Sequence, residues 1–96
     1  MEADRLHAIS KVLSDPTRFE ILKRIAANEE VACSVLNEAF PVTQATISHH
    51  LRELHEAGLI KIRRQAKYMH MKLNRAVWNE YVQALADFLP HSSGTR

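Results

Sequence analysis

The 96-residue sequence predicts a mainly α fold with one β-hairpin, in the order α-α-α-α-β-β-α. Three observations predict it. Ile47, Leu51 and Leu54 recur at a helical period in a stretch whose ends are marked by Thr43 and Gly58. Directly after Gly58 the period drops to two: Ile60 and Ile62 alternate with Lys61 and Arg63, and Met69, Met71 and Leu73 alternate with Tyr68, His70 and Lys72. Helical spacing then returns through Trp78, Tyr81, Val82, Leu85 and Leu89.

Glu2 to Leu13 reads as the first helix, with Leu6, Ile9 and Leu13 in a stripe and Val12 beside it. Ser14-Asp15-Pro16-Thr17 breaks the chain and restarts it. Asp15 can cap, and Pro16 at the first helical position gives up no needed hydrogen bond. The second helix runs from Pro16 to about Ala27 and offers Phe19, Leu22, Ile25 and Ala26 to a core. Val31-Ala32-Cys33 can form a short extended piece. Ser34 is placed as the cap of a short third helix, Val35 to about Phe40, closed by Pro41. Only Pro41-Val42-Thr43 separates that helix from the next, Gln44 to Ala57, and short helix, tight turn, second helix is a helix-turn-helix arrangement. Leu59 to Arg64 and Tyr68 to Leu73 are the two strands, joined by Gln65-Ala66-Lys67. A hairpin placed directly after such a helix is the wing of a winged helix-turn-helix. Asn74 caps the last helix, Arg75 to about Leu89. Residues 1–90 are expected to form one domain, and 91–96 a polar tail.

Apolar residues make up 46% of the chain and charged residues 25%, the balance of a globular domain. No run approaches the roughly 18 apolar residues of a membrane helix, and MEADRLHAIS carries no secretory pattern, so the expected compartment is the cytoplasm. The net charge of +2 is uninformative, but its distribution is not. Leu59 to Arg75 holds six basic residues (Lys61, Arg63, Arg64, Lys67, Lys72, Arg75) and no acidic one. That leaves seven basic against eleven acidic residues elsewhere. Positive charge concentrated just after the central helix is a footprint for a polyanion.

The outer face of the central helix, Ala45, Ser48, His49, Arg52 and Glu56, begins short, polar and uncharged. A major groove wants such a face on a helix entering by its N-terminal half. Gln44, Ala45, Ser48 and His49 are the candidate base contacts: Gln can meet adenine in a bidentate way, Ser and His reach purine acceptors, and Ala45 touches a thymine methyl. Thr43, Thr46, His50, Arg52, Arg63, Arg64, Lys67 and Tyr68 are the candidate backbone contacts. For several of these a plainer role stands beside the functional one. His50 flanks the apolar stripe and is placed as a structural or phosphate-binding group. Arg52 can instead pair with Glu56, Tyr68 can pack across the hairpin, and the basic wing can be an ordinary charged surface. The first and last helices hold more apolar surface than the middle elements can cover. Leu6, Ile9, Leu13, Trp78, Tyr81, Val82, Leu85 and Leu89 are therefore the candidate homodimer interface.

Cys33 is the single cysteine, so no internal disulfide and no multi-cysteine zinc site within one chain are available. Three readings stand for it: a small buried core thiol, which is preferred; a redox sensor; and a weak ligand together with histidines or a partner subunit. The six histidines show no His-Glu-x-x-His spacing, and two glycines form no phosphate-binding loop. No orienting acid accompanies Ser48-His49. No enzyme activity and no cofactor are expected.

The segments Leu13-Ser14-Asp15-Pro16-Thr17-Arg18 with Ile21-Leu22, Leu36 before the turn, and Gln44-Ala45-Thr46-Ile47-Ser48-His49-His50-Leu51 with Leu54, Ala57, Gly58 and Leu59 resemble the ArsR/SmtB family of small winged-helix repressors. The similarity covers about residues 6 to 89. It implies a homodimer that binds an imperfect palindrome near a promoter and represses transcription, with release by metal, thiol oxidation or another signal. The family's metal positions do not carry over. Where metal-sensing members place cysteines in the third-helix region, this chain has Ala32, Ser34 and Asn37. The Asp, His and Glu set of the last helix finds Asn74 to Asn79 at its start, and only Asp87 and His91 near its end. No metal site is expected.

The sequence thus points to a sequence-specific DNA-binding regulator, a homodimeric repressor whose partners are double-stranded DNA and its own copy, with no membrane partner. Activation in place of repression is a variant within that class. The rival is a winged-helix protein-interaction module or accessory regulator without an operator of its own. The basic wing speaks against the rival.

Overall fold

The computed structural model describes residues 1–90; the polar tail expected at 91–96 lies outside the described residues. In chain order the elements are α1 (Ala3–Val12), α2 (Pro16–Ala26), β1 (Val31–Ala32), α3 (Cys33–Ala39), α4 (Gln44–Glu56), β2 (Ile60–Gln65), β3 (Tyr68–Leu73) and α5 (Arg75–Asp87). This is a winged helix-turn-helix with one addition to the expected order. The extended piece Val31–Ala32 is a strand of its own, and it pairs antiparallel with β3, Val31 opposite Met71 and Ala32 opposite His70. The sheet is therefore three-stranded, in the order β1-β3-β2.

Helix ends follow local chemistry. The Asp15 carboxylate accepts the Arg18 N–H at 2.8 Å and starts α2. Thr43 Oγ1 accepts the Thr46 N–H at 3.1 Å and starts α4. Asn74 Oδ1 accepts the Val77 N–H at 3.4 Å and starts α5. The helix α3 departs from expectation: it begins at Cys33, with Ala32 at the cap and no side chain accepting there, so Ser34 lies inside the helix. Pairing of β1 fixes the chain up to Ala32, so the turn into α3 comes two residues earlier than a Ser34 cap would place it. At the end of α4 the Gly58 N–H donates to His55 O at 2.9 Å and the Leu59 N–H to Leu54 O at 3.0 Å. That double closure requires a left-handed residue, and Gly58 supplies it at φ +82°.

The core is one cluster. Ile9, Ile21, Leu22, Ile25, Val31, Leu36, Ile47, Leu51, Leu54, Leu59, Ile60, Met71 and Tyr81 are all buried. The apolar stripe of α4 faces inward as its period requires. Phe19, offered to the core by sequence, is instead 37% exposed, with the Lys23 ammonium 5.9 Å from its ring centre. Ile21, Leu22 and Ile25 already fill the inner face of α2.

The hairpin closes through Ala66-Lys67 alone, since Gln65 pairs with Tyr68. Ala66 takes φ +55°, the left-handed value that two-residue hairpin turns demand and that an alanine Cβ resists. Ala66→Gly is expected to raise unfolding free energy by about 0.5–1 kcal/mol, read from the denaturant midpoint.

Candidate nucleic-acid interface

The inward stripe of α4 fixes its outer face by default. Gln44, Ala45, Ser48, His49 and Arg52 are all exposed, and among the described residues none of them enters an ion pair within 4 Å. The alternative pairing of Arg52 with Glu56 does not form. Thr43 and Thr46 sit together at the helix start, their hydroxyls 2.9 Å apart.

The hairpin presents two chemically different faces, because side chains alternate along it. On one face Arg64 stands opposite Met69. That face closes a cleft of about 360 Å³ shared by Gln44 and Ser48 of α4, Arg64, Lys67, Tyr68 and Met69 of the wing, and Cys33, Ser34 and Asn37 of α3. Five residues singled out separately by sequence thus meet around one depression: Gln44, Ser48, Arg64, Lys67 and Tyr68. Tyr68 is 56% exposed, with the Lys67 ammonium 5.8 Å from its ring centre. Ala45, His49 and Arg52 lie on the exposed face of α4 outside the cleft. Sequence reasoning named Ser34 only as a helix cap, and Ser34 and Asn37 only as positions lacking a metal ligand, and placed neither at this cleft. They stand three residues apart on a helix, a spacing that shares one face, but misplacing the start of α3 hid it. The Asn37 Oδ1 is buried without a hydrogen-bond partner.

The other face corrects an expectation. Arg63 was expected at the DNA backbone, yet its fork is already occupied. Its Nε and Nη2 donate to the two carboxylate oxygens of Glu30 at 3.0 and 2.8 Å, and Nη1 donates to Gln65 Oε1 at 2.8 Å. Glu30 precedes β1, and the pairing of β1 with β3 carries it alongside the wing. Arg63, through this hydrogen bond, holds the Glu30 carboxyl below its ordinary pKa, and Glu30 raises that of Arg63. A bidentate pair of this kind offers little charge to a phosphate. Lys61 and Lys72 stand opposite one another on the same outward face.

For His50 the structure favours one of its two readings. It was placed as a structural or phosphate-binding group, and at 7% exposed and turned inward it takes the structural position. One residue further round the helix than His49, it falls on the side of α4 that packs on α2. Its Nδ1 accepts from Arg18 Nε at 3.3 Å.

Cys33 is half-buried, with Asn37 Nδ2 4.0 Å from its sulfur. Burial pushes the thiol pKa up, the opposite of what a redox-sensing thiolate needs. Among the described residues no three His, Cys, Asp or Glu side chains group to hold a metal ion.

The candidate dimer residues divide. Ile9 is fully buried inside the protomer, and Tyr81 is 7% exposed, its hydroxyl 2.8 Å from Ser10 Oγ. Both are core residues, because α1 and α5 of the same chain pack together along this line. Leu6, Leu13 and Trp78 are half-buried against the core. The outward part of the stripe is Val82, Leu85 and Leu89, joined by Phe88, which is 68% exposed. No helix among the described residues is long and apolar enough to cross a membrane.

This arrangement has counterparts among known proteins. A family profile described as "Helix-turn-helix domain" matches residues 13–63. An arsenical resistance operon repressor of Staphylococcus aureus is 35% identical over 85 residues, covering 88% of this chain and 81% of that protein. One from Staphylococcus xylosus is 39% identical over 74 residues, covering 77% and 70%. An ArsR-like transcriptional regulator from Rhodococcus sp. RHA1 superposes with a TM-score of 0.80 at 26% identity, covering 88% of this chain and 79% of that one. The homodimeric winged helix-turn-helix DNA-binding domain of a possible ArsR-family regulator from Mycobacterium bovis superposes with a TM-score of 0.72 at 26% identity, covering 97% and 89%. The exposed α4 face, the basic hairpin beside it and the likeness along most of the chain agree: the protein belongs to the ArsR family of winged helix-turn-helix, DNA-binding transcriptional regulators.

Proposed function

We propose that the protein is a cytoplasmic homodimeric repressor that recognises an operator with two-fold related half-sites. Each protomer places the N-terminal half of α4 in a major groove, where Gln44, Ala45, Ser48 and His49 meet base edges. Thr43, Thr46 and Arg52 meet the flanking phosphates from α4, and Arg64, Lys67 and Tyr68 from the wing. The observation that carries this reading is the cleft in which an uncharged, hydrogen-bonding helix face meets two cations that have no acidic partner among the described residues. The exposed Val82, Leu85, Phe88 and Leu89 support a dimer, and relatives named repressors support repression.

The test is affinity selection of genomic fragments by the purified chain, followed by titration at two salt concentrations. Enrichment of a palindrome with half-sites about one helical turn apart is the expected result. Recovery of unrelated fragments, with binding that disappears in salt, overturns it in favour of a protein-interaction module. Replacing Arg64 and Lys67 together with Ala should weaken binding to selected and random duplexes alike. It should also flatten the slope of log affinity against log salt by about 2, close to one unit per lost phosphate contact. A loss confined to the selected duplex would count against a backbone role.

A further inference from the structure

Arg18 sits where three helices meet. Its backbone N–H is held by the Asp15 carboxylate that starts α2. Its Nη1 donates to the Val12 carbonyl at the end of α1, at 3.0 Å. Its Nε donates to Nδ1 of His50 on α4, at 3.3 Å. A guanidinium has donors only, so His50 Nδ1 must carry a lone pair. The ring is then neutral, with its proton on Nε2, the nitrogen that faces Asp15 Oδ2 at 3.9 Å. The His50 side chain is 9% exposed and lies behind the reading face, next to His49, whose ring centre is 5.8 Å away.

We propose that Arg18 is a positioning residue that fixes the recognition helix against α1, with neutral His50 as its acceptor, so that sequence-selective binding requires His50 to be unprotonated. This rests on the operator reading above. A proton added to the ring goes to Nδ1, the atom that accepts from Arg18. The hydrogen bond is lost, and imidazolium then faces guanidinium across the same gap. The helix α4 then loses its hydrogen bond to Arg18, which also grips α1 through the Val12 carbonyl.

The groups facing the imidazole are Asp15 and Arg18 from the α2 side, and His49 and Glu53 from α4. Lys11 of α1 lines the adjoining cavity with Arg18 and Glu53. Burial outweighs the attraction of Asp15 and holds the His50 pKa below its ordinary 6.5. The unfolded chain therefore takes up this proton first as pH falls. The stabilisation from neutral His50 is complete above pH 6.5 and is lost as pH falls through the lower folded value.

The experiment titrates wild type, His50→Gln and Arg18→Lys against two duplexes of one length, the enriched sequence and a random one, at about pH 7.5 and about pH 5.5. The readout is the ratio of the two affinities. For wild type the ratio should fall about tenfold between the two pH values. His50→Gln keeps an oxygen that accepts from Arg18 Nε but does not titrate. It should stay within about threefold of wild type at the higher pH and lose the acid-dependent fall. Arg18→Lys keeps the charge but gathers its donors on one nitrogen in place of the separate Nε and Nη1, and should lower the ratio about tenfold at the higher pH. An acid-dependent fall in His50→Gln equal to that of wild type overturns the proposal, as does a folded Arg18→Lys with a wild-type ratio. Should Arg18→Lys fail to fold by circular dichroism, His50→Gln decides. A wild-type chain that enriches no duplex overturns the operator reading itself. One that enriches a duplex while His50→Gln stays acid-sensitive overturns only the positioning role.

Discussion

Leu85→Asp combined with Leu89→Asp is expected to turn a dimer into a monomer and to lower affinity for a duplex with two half-sites by about 100-fold or more. Leu85, on α5, and Leu89, just past its end, are 36% and 58% exposed in the protomer. The substitutions therefore leave the core intact. Full burial of an exposed leucine is worth roughly 1.5–3 kcal/mol, and the part of each still exposed here contributes a corresponding fraction when a second copy covers it. A two-fold interface uses the same patch on both sides, so each substitution counts twice. The carboxylates also add like charges across the symmetry axis. Sedimentation equilibrium reads the mass, and titration against full-site and half-site duplexes reads the function. Half-site affinity should survive, because α4 and the wing are untouched. A double variant that remains dimeric would assign dimerisation to another surface.

Leu54→Ala is expected to cost about 2–5 kcal/mol, out of the 5–15 typical of a whole domain. Leu54 is fully buried on the inner stripe of α4, and its carbonyl accepts the Leu59 N–H that closes the helix. Truncation leaves a cavity beside that closure. For a domain of this size the loss lowers the melting midpoint by roughly 4–8 °C per kcal/mol. Arg52→Ala, two residues away on the exposed face, should change stability by no more than about 0.5 kcal/mol. Thermal melts of the two variants give the contrast directly. Leu54→Ala should lose binding to every duplex as it unfolds, whereas a base-reading substitution such as Ser48→Ala should lose preference while the fold holds. A Leu54→Ala midpoint within a few degrees of wild type would mean the site collapses around the gap.

Elements written in local chemistry were legible in the sequence. Asp15, Thr43, Asn74 and Gly58 cap where their side chains or backbone freedom place them. The helical stripe of α4 and the alternation of the hairpin fix which residues face inward. What depended on distant partners was not legible. A two-residue strand has no periodicity, so β1 emerged only through its pairing with β3. That pairing also moved the start of α3 and drew Glu30 onto Arg63. An arginine in a basic run looks the same in sequence whether it is free, like Arg64, or engaged, like Arg63. The helical period separated His49, on the outer face, from His50, beside the apolar stripe, but the partner of His50, Arg18 of α2, could not be read. Ile9 and Tyr81 were apolar enough for either a core or an interface, and only the packing of α1 on α5 within the chain decided between them.

The pairing of β1 with β3 ties the helix-turn-helix unit to the wing through backbone hydrogen bonds. The chain passes directly from Ala32 into α3, and β3 is the inner strand of the wing. The offset between α4 and the wing cations is therefore established when the protein folds. Association with a duplex need not order a loose arm, so little conformational freedom remains to be lost at that step. Recognition by such a frame resembles a caliper more than a clasp. On the operator reading proposed above, duplexes whose backbone lies at the wrong distance from the groove floor are expected to be penalised by shape, before any base is read.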